Sequence, residues 1–299
     1  MDIDRYRKRY EAELGRAAAP KRQRATKAAA SGKAGKAGKD GAAARAAAVR
    51  AEPIDAEDLG TRVPDLLATL RNRKEATSVR AAALQVLGAL DFFGPRFSPY
   101  RADYKRALRD IATDPRATLR ESAIELLAIG KDPYAQELLV RGLERPEEAV
   151  VSDARALQFL GYDEHADHAP LARKVYRRAT GAAREEALRV LATDPTSERL
   201  FTRLLKDKSE KSSVRRLSAS GLQSLNPEAF ERAARRIVAD DDDYNEIRAT
   251  SLAALAHGRE ARDKPPDRKF VETVQKLTDS TRSTALRSSS RRFLRSTET

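Results

Sequence analysis

A ten-residue sequence motif recurs seven times between residues 78 and 294 and sets a strong constraint on the fold. Its copies are SVRAAALQVL, TLRESAIELL, VSDARALQFL, AAREEALRVL, SVRRLSASGL, EIRATSLAAL and ALRSSSRRFL. The third residue is Arg in six of the seven copies, and successive third residues lie 40, 33, 31, 31, 33 and 39 positions apart. Such a period is typical of stacked helical hairpins. We call Arg80, Arg120, Arg184, Arg215, Arg248 and Arg287 the register arginines; Asp153 takes their place in the third copy.

Each copy follows a second amphipathic segment, in which apolar residues recur one helical turn apart, as in Leu66, Leu67 and Leu70. Short turns with Gly, Pro, Asp or Asn separate the segments. The sequence therefore predicts an all-α fold, an α-solenoid of about seven antiparallel helical hairpins over residues 51–299. The predicted repeats are 63–90, 100–130, 132–161, 162–194, 195–226, 227–258 and 269–299.

The repeated text resembles the HEAT repeat family, particularly its short bacterial type. The best matches are Asp114 followed by Leu119 and Arg120, and the block from Val79 to Leu87. The resemblance covers roughly four-fifths of the chain. It implies a fold more than a function, because HEAT-like arrays serve as scaffolds, transport adaptors, chromatin factors, lyases and DNA glycosylases.

Residues 1–50 differ from the rest of the chain, with 14 Lys and Arg against 5 Asp and Glu. From Gly15 to Arg50 the segment is mainly Ala, Gly, Lys and Arg, which predicts a disordered basic tail because little apolar surface can be buried. Ahead of it, a short helix is predicted over residues 3–14. Tyr6 and Tyr10 on its face are a docking motif or part of a frayed terminus.

Positive charge in the tail could neutralise nucleic-acid phosphates without reading base sequence. The alternatives are a solubilising leader and attraction to an acidic protein or an anionic membrane surface. The candidate side chains are Lys21, Arg22, Arg24, Lys27, Lys33, Lys36 and Lys39.

The register arginines are a second candidate binding set, because equivalent positions in successive repeats lie on one line. Guanidinium groups in such a ladder could bind phosphates or carboxylates. Alternatively, each could bond an acidic or carbonyl group in its own or the next repeat. At the C-terminal end, Arg287, Arg291 and Arg295 share one helix face, which is either an anion-binding stripe or a solvated outer face.

Aromatic residues cluster in the insertion that begins at Asp91. Phe92, Phe93 and Phe97 would form an interaction patch if exposed, or a cap over the first repeat if buried.

No catalytic, cofactor or metal site is predicted. The chain has no Cys, no Gly-rich phosphate loop and only three His. His165 and His168 lack a third zinc ligand, and the acidic run from Asp240 to Asp243 lacks the pattern of an EF-hand. The absence of Trp disfavours the HEAT-like DNA glycosylases, and we expect no enzyme, with a lyase or glycosylase as the remaining alternative.

These patterns favour a cytoplasmic scaffold or adaptor that binds a protein partner, with basic ends that attract a polyanion. The alternative is a nucleic-acid-associated protein. No membrane span is expected, because no 18 consecutive apolar residues occur.

Overall fold

The computed structural model describes residues 33–52, 58–92, 94–260 and 267–297. These residues contain fifteen α-helices and no strand, which confirms the predicted all-α fold class. In chain order the helices are α1 (Lys33–Ala51), α2 (Leu59–Arg71), α3 (Thr77–Asp91), α4 (Arg101–Ile111), α5 (Ala117–Ile129), α6 (Pro133–Glu144), α7 (Asp153–Leu160), α8 (Ala169–Arg178), α9 (Gly181–Leu191), α10 (Glu198–Lys206), α11 (Ser212–Leu225), α12 (Pro227–Ala239), α13 (Asn245–Glu260), α14 (Arg268–Ser280) and α15 (Thr284–Arg295).

From α2 onward the helices alternate between two roles. The even-numbered ones, α2 to α14, are the first helices of the repeats, and the odd-numbered ones, α3 to α15, are the second helices and carry the recurring text. Several first helices begin at an Asp or Asn followed by Pro, as at Asp132 and Asn226, whose side chains accept a hydrogen bond from a first-turn N–H. This combination favours a helix start, because the cap satisfies a free donor and Pro needs none.

The described chain divides into two compact units. The first contains α1 to α6 and Tyr162–His165. In it α2 packs on α3 and α4 on α5, while α3 also packs on α5. Its core is a set of aliphatic side chains with almost no exposure, including Leu70, Leu87, Leu119 and Leu127. These are the apolar stripes that the helical period predicted.

The second unit contains α7 to α15. Here α8 packs on α9, α10 on α11, α12 on α13 and α14 on α15, and the second helices α9, α11 and α13 pack on one another. Helix α15 also lies against α13, and Phe293 of α15 meets Phe270 of α14 edge to face with ring centroids 5.4 Å apart. Each first helix thus buries one apolar stripe against its own second helix, which leaves the opposite side exposed.

The predicted disordered tail ends too late at residue 50, because Lys33–Ala51 form α1. This helix packs on α3, where Ala46 joins Val79 and Ala82 in a small buried cluster. Arg45 also pairs with Glu75 at 2.9 Å. Alanine has the highest helix propensity, and its small side chain lets two helices approach closely. The absence of large apolar residues was therefore a poor argument for disorder in this part. Residues 1–32, with the predicted helix over 3–14, lie outside the described residues.

Candidate functional site

Three register arginines are buried, and all three bond the helix before their own in the same way. The Nε atoms of Arg80, Arg215 and Arg248 each donate to a carbonyl ten residues earlier, at 2.9, 2.9 and 3.1 Å. The acceptors lie in the last turn of the preceding first helix, and they are Leu70 O, Leu205 O and Val238 O. Because the last carbonyls of a helix have no partner inside it, each register arginine satisfies one of them.

The outer ends of several guanidinium groups reach the next repeat. Arg80 donates to Asp114 at 2.8 Å. Arg215, whose side chain is 0% exposed, binds both carboxylate oxygens of Asp243, at 2.6 and 2.7 Å. Arg184 makes the same two-pronged contact with Glu210, at 2.9 and 2.6 Å. These ion pairs join neighbouring repeats inside each unit.

The remaining register positions vary this arrangement. Arg248 donates to Asp241, an acid of its own repeat that is 90% exposed. Arg120 donates to the carbonyls of Asp114 and Val150, and Arg287 donates to the carbonyl of Thr281. Asp153, the one acid in the series, pairs with Arg178 at 3.0 Å.

The positions of Arg80, Arg215 and Arg248 do not favour the hypothesis of a phosphate-binding arginine ladder. Their side chains are buried, and their donors already serve carbonyl and carboxylate oxygens. A guanidinium in this state would have to break bonds within the stack to meet an external phosphate. The alternative interpretation, contacts that maintain the stack, fits their geometry.

Two of the acidic partners, Asp114 and Glu210, have a lowered pKa. Burial raises the pKa of Asp114, but hydrogen bonds from the backbone of Arg116 and from Arg80 outweigh it, so the pKa is lowered overall. The pKa of Glu210 is lowered mainly by its hydrogen bonds to Arg184. Both carboxylates therefore remain ionised at neutral pH.

A second series of ion pairs links successive first helices, and the sequence analysis missed it. Arg109 of α4 binds Asp132 through two bonds of 3.1 and 2.8 Å, and Arg235 of α12 binds Asp267 at 2.8 Å. Arg173 of α8 binds Asp194 just ahead of α10. In each case an arginine of one first helix meets the acid that precedes the next one. The sequence pattern that could have predicted these pairs is an Asp just before a first helix, together with an Arg in the first helix of the preceding repeat.

The candidate cation sites are used for internal contacts. Asp240 pairs with Lys208 at 2.7 Å, and two further acids of the run from Asp240 to Asp243 pair with register arginines. Near the histidines, Asp163 pairs with Lys131 at 3.4 Å, and Asp167 caps the N–H of Ala169. Within the described ranges no three potential metal-ligating side chains lie together.

The predicted aromatic patch is divided by the structure. Phe97 is 0% exposed and meets Tyr104 edge to face with centroids 5.6 Å apart, so it belongs to the core. Phe92 is 54% exposed, whereas Phe93 lies outside the described residues. Tyr244 is 58% exposed, and the sequence analysis did not single it out because it stands alone beside an acidic run.

The basic ends are only partly described. On α15, Arg291 and Arg295 are exposed while Arg287 is half-buried. Lys33, Lys36 and Lys39 stand on α1. Outside the described residues lie Tyr6, Tyr10, Lys21, Arg22, Arg24 and Lys27.

Comparison with known proteins finds no matching family model and no matching curated protein. Solved structures that are similar to this chain include the following three, each at 16% identity. An engineered protein covers 79% of this chain and 96% of its own length with a TM-score of 0.32. The complex of CpcE and CpcF of phycocyanin lyase from Nostoc sp. PCC7120 covers 88% and 99% with a TM-score of 0.34. A designed armadillo repeat protein covers 79% and 99% with a TM-score of 0.27.

The prediction that the chain is not an enzyme needs correction, because a lyase complex stands among the similar structures. Because one fold can support many unrelated functions, missing motifs are no ground for excluding catalysis on a helical repeat fold. In the part of the chain that the structure describes, no helix is long and apolar enough to cross a membrane. The fold of the described residues is that of a helical repeat protein.

Proposed function

We propose that this chain is a HEAT-type scaffold or adaptor that binds a protein partner through the exposed surface of its repeats. The proposal includes the seven repeats with the boundaries that the sequence predicts. Support comes from the internal use of the register arginines. Since ion pairs such as Arg215–Asp243 join neighbouring repeats, side chains on different repeats keep fixed relative positions within a unit. A surface that is already ordered pays little entropy on binding.

The observation that carries the proposal is Tyr244. Its ring is exposed, yet its backbone is held on both sides. Its N–H donates to Asp243 at 2.7 Å, and its carbonyl accepts from Ile247 and Arg248 at 2.9 and 3.0 Å. An exposed Tyr on a fixed backbone is a typical anchor of protein interfaces, because it offers a large apolar area and a hydroxyl with few rotatable bonds.

The test is quantitative affinity capture from an extract of the cells that contain the protein. Full-length wild type would be compared with Tyr244→Ala and with Phe92→Ala, which removes an exposed aromatic side chain of the other unit. We expect a defined set of proteins to lose about tenfold or more in enrichment with Tyr244→Ala, because truncating an anchor costs roughly 2 kcal/mol or more. Phe92→Ala should retain them. Equal capture by wild type and Tyr244→Ala would reject Tyr244 as the anchor.

We propose association with nucleic acid as a second candidate. It rests on the composition of the predicted tail and on the exposed Arg291 and Arg295 of α15. Binding of the full-length protein to DNA across a salt series tests it, since phosphate contacts make affinity fall steeply with salt. Absence of binding even at low salt would rule it out.

A further inference from the structure

The first helices of the second unit present a strongly basic outer surface that the sequence does not reveal. We call the exposed side of α8, α10, α12 and α14 the basic face. It carries eleven exposed Lys and Arg against three exposed Asp and Glu. The first helices α2, α4 and α6 of the other unit carry five exposed residues of each sign. Net positive charge is therefore concentrated on one set of first helices.

The segregation of charge follows from the ion pairs inside the unit. The acids of the turns, such as Glu210 and Asp243, are held by register arginines, and Asp194 and Asp267 are held by Arg173 and the half-buried Arg235. These acids balance the total charge of the sequence without balancing the outer surface. Eight exposed residues of the basic face form no salt bridge with any residue that the structure describes, and they are Arg177, Arg199, Arg203, Lys206, Arg236, Arg268, Lys269 and Lys276.

Several of these cations lie on helices that pack side by side. Helix α12 packs beside both α10 and α14, and packed helices lie about 8–10 Å apart. Along one helix, Arg199 and Arg203 are one turn apart, on the order of 6 Å. The basic face thus presents rows of positive charge at separations that suit a polymer with closely spaced anions.

The composition of the basic face decides which polyanion fits. Most of its exposed cations are Arg, whose planar fork matches phosphate oxygens. Among the described residues, the two exposed large hydrophobic side chains are Phe92 and Tyr244, and neither lies on these helices. The face therefore lacks the apolar anchors of a protein interface or a membrane-inserting surface, and the stacking rings that bind single strands.

We infer that the basic face binds the phosphate backbone of duplex DNA without reading base sequence. Duplex DNA carries about one negative charge per 1.7 Å of its axis on an outer surface that helices can follow without entering a groove. Recognition of duplex RNA uses 2′-hydroxyl contacts in addition to phosphate contacts, so a surface that binds by charge alone does not need RNA. This inference deepens the second candidate function and is independent of Tyr244.

The test uses full-length protein and a fluorescently labelled 20-base-pair DNA duplex, with anisotropy measured across a salt series. One variant combines Arg199→Gln, Arg203→Gln and Arg236→Gln. The matched control combines Lys105→Gln, Arg106→Gln and Arg141→Gln on the first helices of the other unit. Both remove three positive charges from exposed positions, and thermal melting verifies that both variants fold.

We expect the basic-face variant to bind about tenfold or more weakly near 0.1 M salt, with a salt slope shallower by about 2 to 3, since each lost phosphate contact removes roughly 0.9 from it. The control should change affinity by less than about threefold, because it alters only the long-range field. Equal losses in both variants, or no loss in either, would overturn the inference.

Three further measurements distinguish duplex DNA binding by the basic face from binding by the C-terminal arginines, by another nucleic acid or by an acidic protein. If an Arg291→Gln/Arg295→Gln variant loses binding while the basic-face variant does not, the second candidate stands and the basic face is rejected. A duplex RNA or a single strand that binds tighter than duplex DNA contradicts the choice of ligand. Poly-glutamate that competes as well as duplex DNA would indicate an acidic protein partner instead.

Discussion

The buried pair of Arg215 and Asp243 offers the sharpest test of how the repeats are held together. Arg215→Met keeps an unbranched side chain but removes the charge and every donor. It eliminates the bond to the carbonyl of Leu205 and both bonds to Asp243. The carboxylate of Asp243, itself only 3% exposed, is then left with the N–H of Tyr244 at 2.7 Å.

The expected cost follows from that uncompensated charge. Breaking a buried ion pair by removing one partner lowers the free energy of unfolding by about 3–5 kcal/mol, because a desolvated charge loses its partner. The adjacent Arg216 provides a matched control. Its side chain is 46% exposed and its partner Glu246 is 54% exposed, so Arg216→Met should cost no more than about 0.5 kcal/mol.

Urea unfolding of the full-length protein, followed by circular dichroism, measures both effects. A double variant, Arg215→Met with Asp243→Leu, removes the stranded charge and should recover part of the loss. If Arg215→Met costs less than about 1 kcal/mol, or no more than Arg216→Met, the register arginines do not stabilise the stack as argued.

Three more predictions test other parts of the structure. The pKa of Glu210 is lowered in the folded state, mainly by Arg184. The stability that this carboxylate contributes should therefore be complete above its unfolded pKa of about 4.3 and lost as pH falls through the folded pKa. In acid unfolding, the stability of Glu210→Gln should lack this pH-dependent loss, which wild type shows. Gly142→Ala should lower the free energy of unfolding by about 1–3 kcal/mol, because the new Cβ would lie 2.9 Å from the backbone of the following turn, whereas Gly258→Ala meets nothing within 4 Å and should be neutral or stabilising in the same urea titration. Ala46→Glu should release α1 from α3 and speed limited proteolysis within α1, and unchanged cleavage there would show that this helix does not depend on its buried face.

The repeated helical pairs could be predicted from the sequence, because the side chains that they bury are apolar and recur at a regular spacing. Spacing alone indicated the second helices that begin near Arg80 and Arg215, and the stripes of Leu that pack beneath them. Helix α1 was missed, since Ala46 packs closely without being large. Composition reports how much apolar area a segment has, but not how closely two small-residue faces can approach.

The candidate site was harder to predict, because the role of a charged side chain depends on whether it forms an ion pair inside the protein or stays exposed. Arg248 and Arg203 look alike in the sequence. In the structure, Arg248 is buried and bonds Asp241 and a carbonyl, whereas Arg203 is exposed. Local charge totals were equally uninformative, since acids in turns and cations on first helices cancel in a sum and separate in space. Tyr244 was overlooked because exposure of a single ring has no sequence pattern.

Buried arginines hold the repeats together, and we infer that exposed arginines of the second unit bind phosphate. Arginine-specific dicarbonyl labelling of the full-length protein, read by mass spectrometry with and without the DNA duplex, tests both halves together. We expect Arg199, Arg203 and Arg236 to react in the free protein and to be protected by the duplex, while Arg80 and Arg215 stay unreactive in both states. Labelling of Arg215 that the duplex blocks, or no protection of the three exposed arginines, would contradict the account.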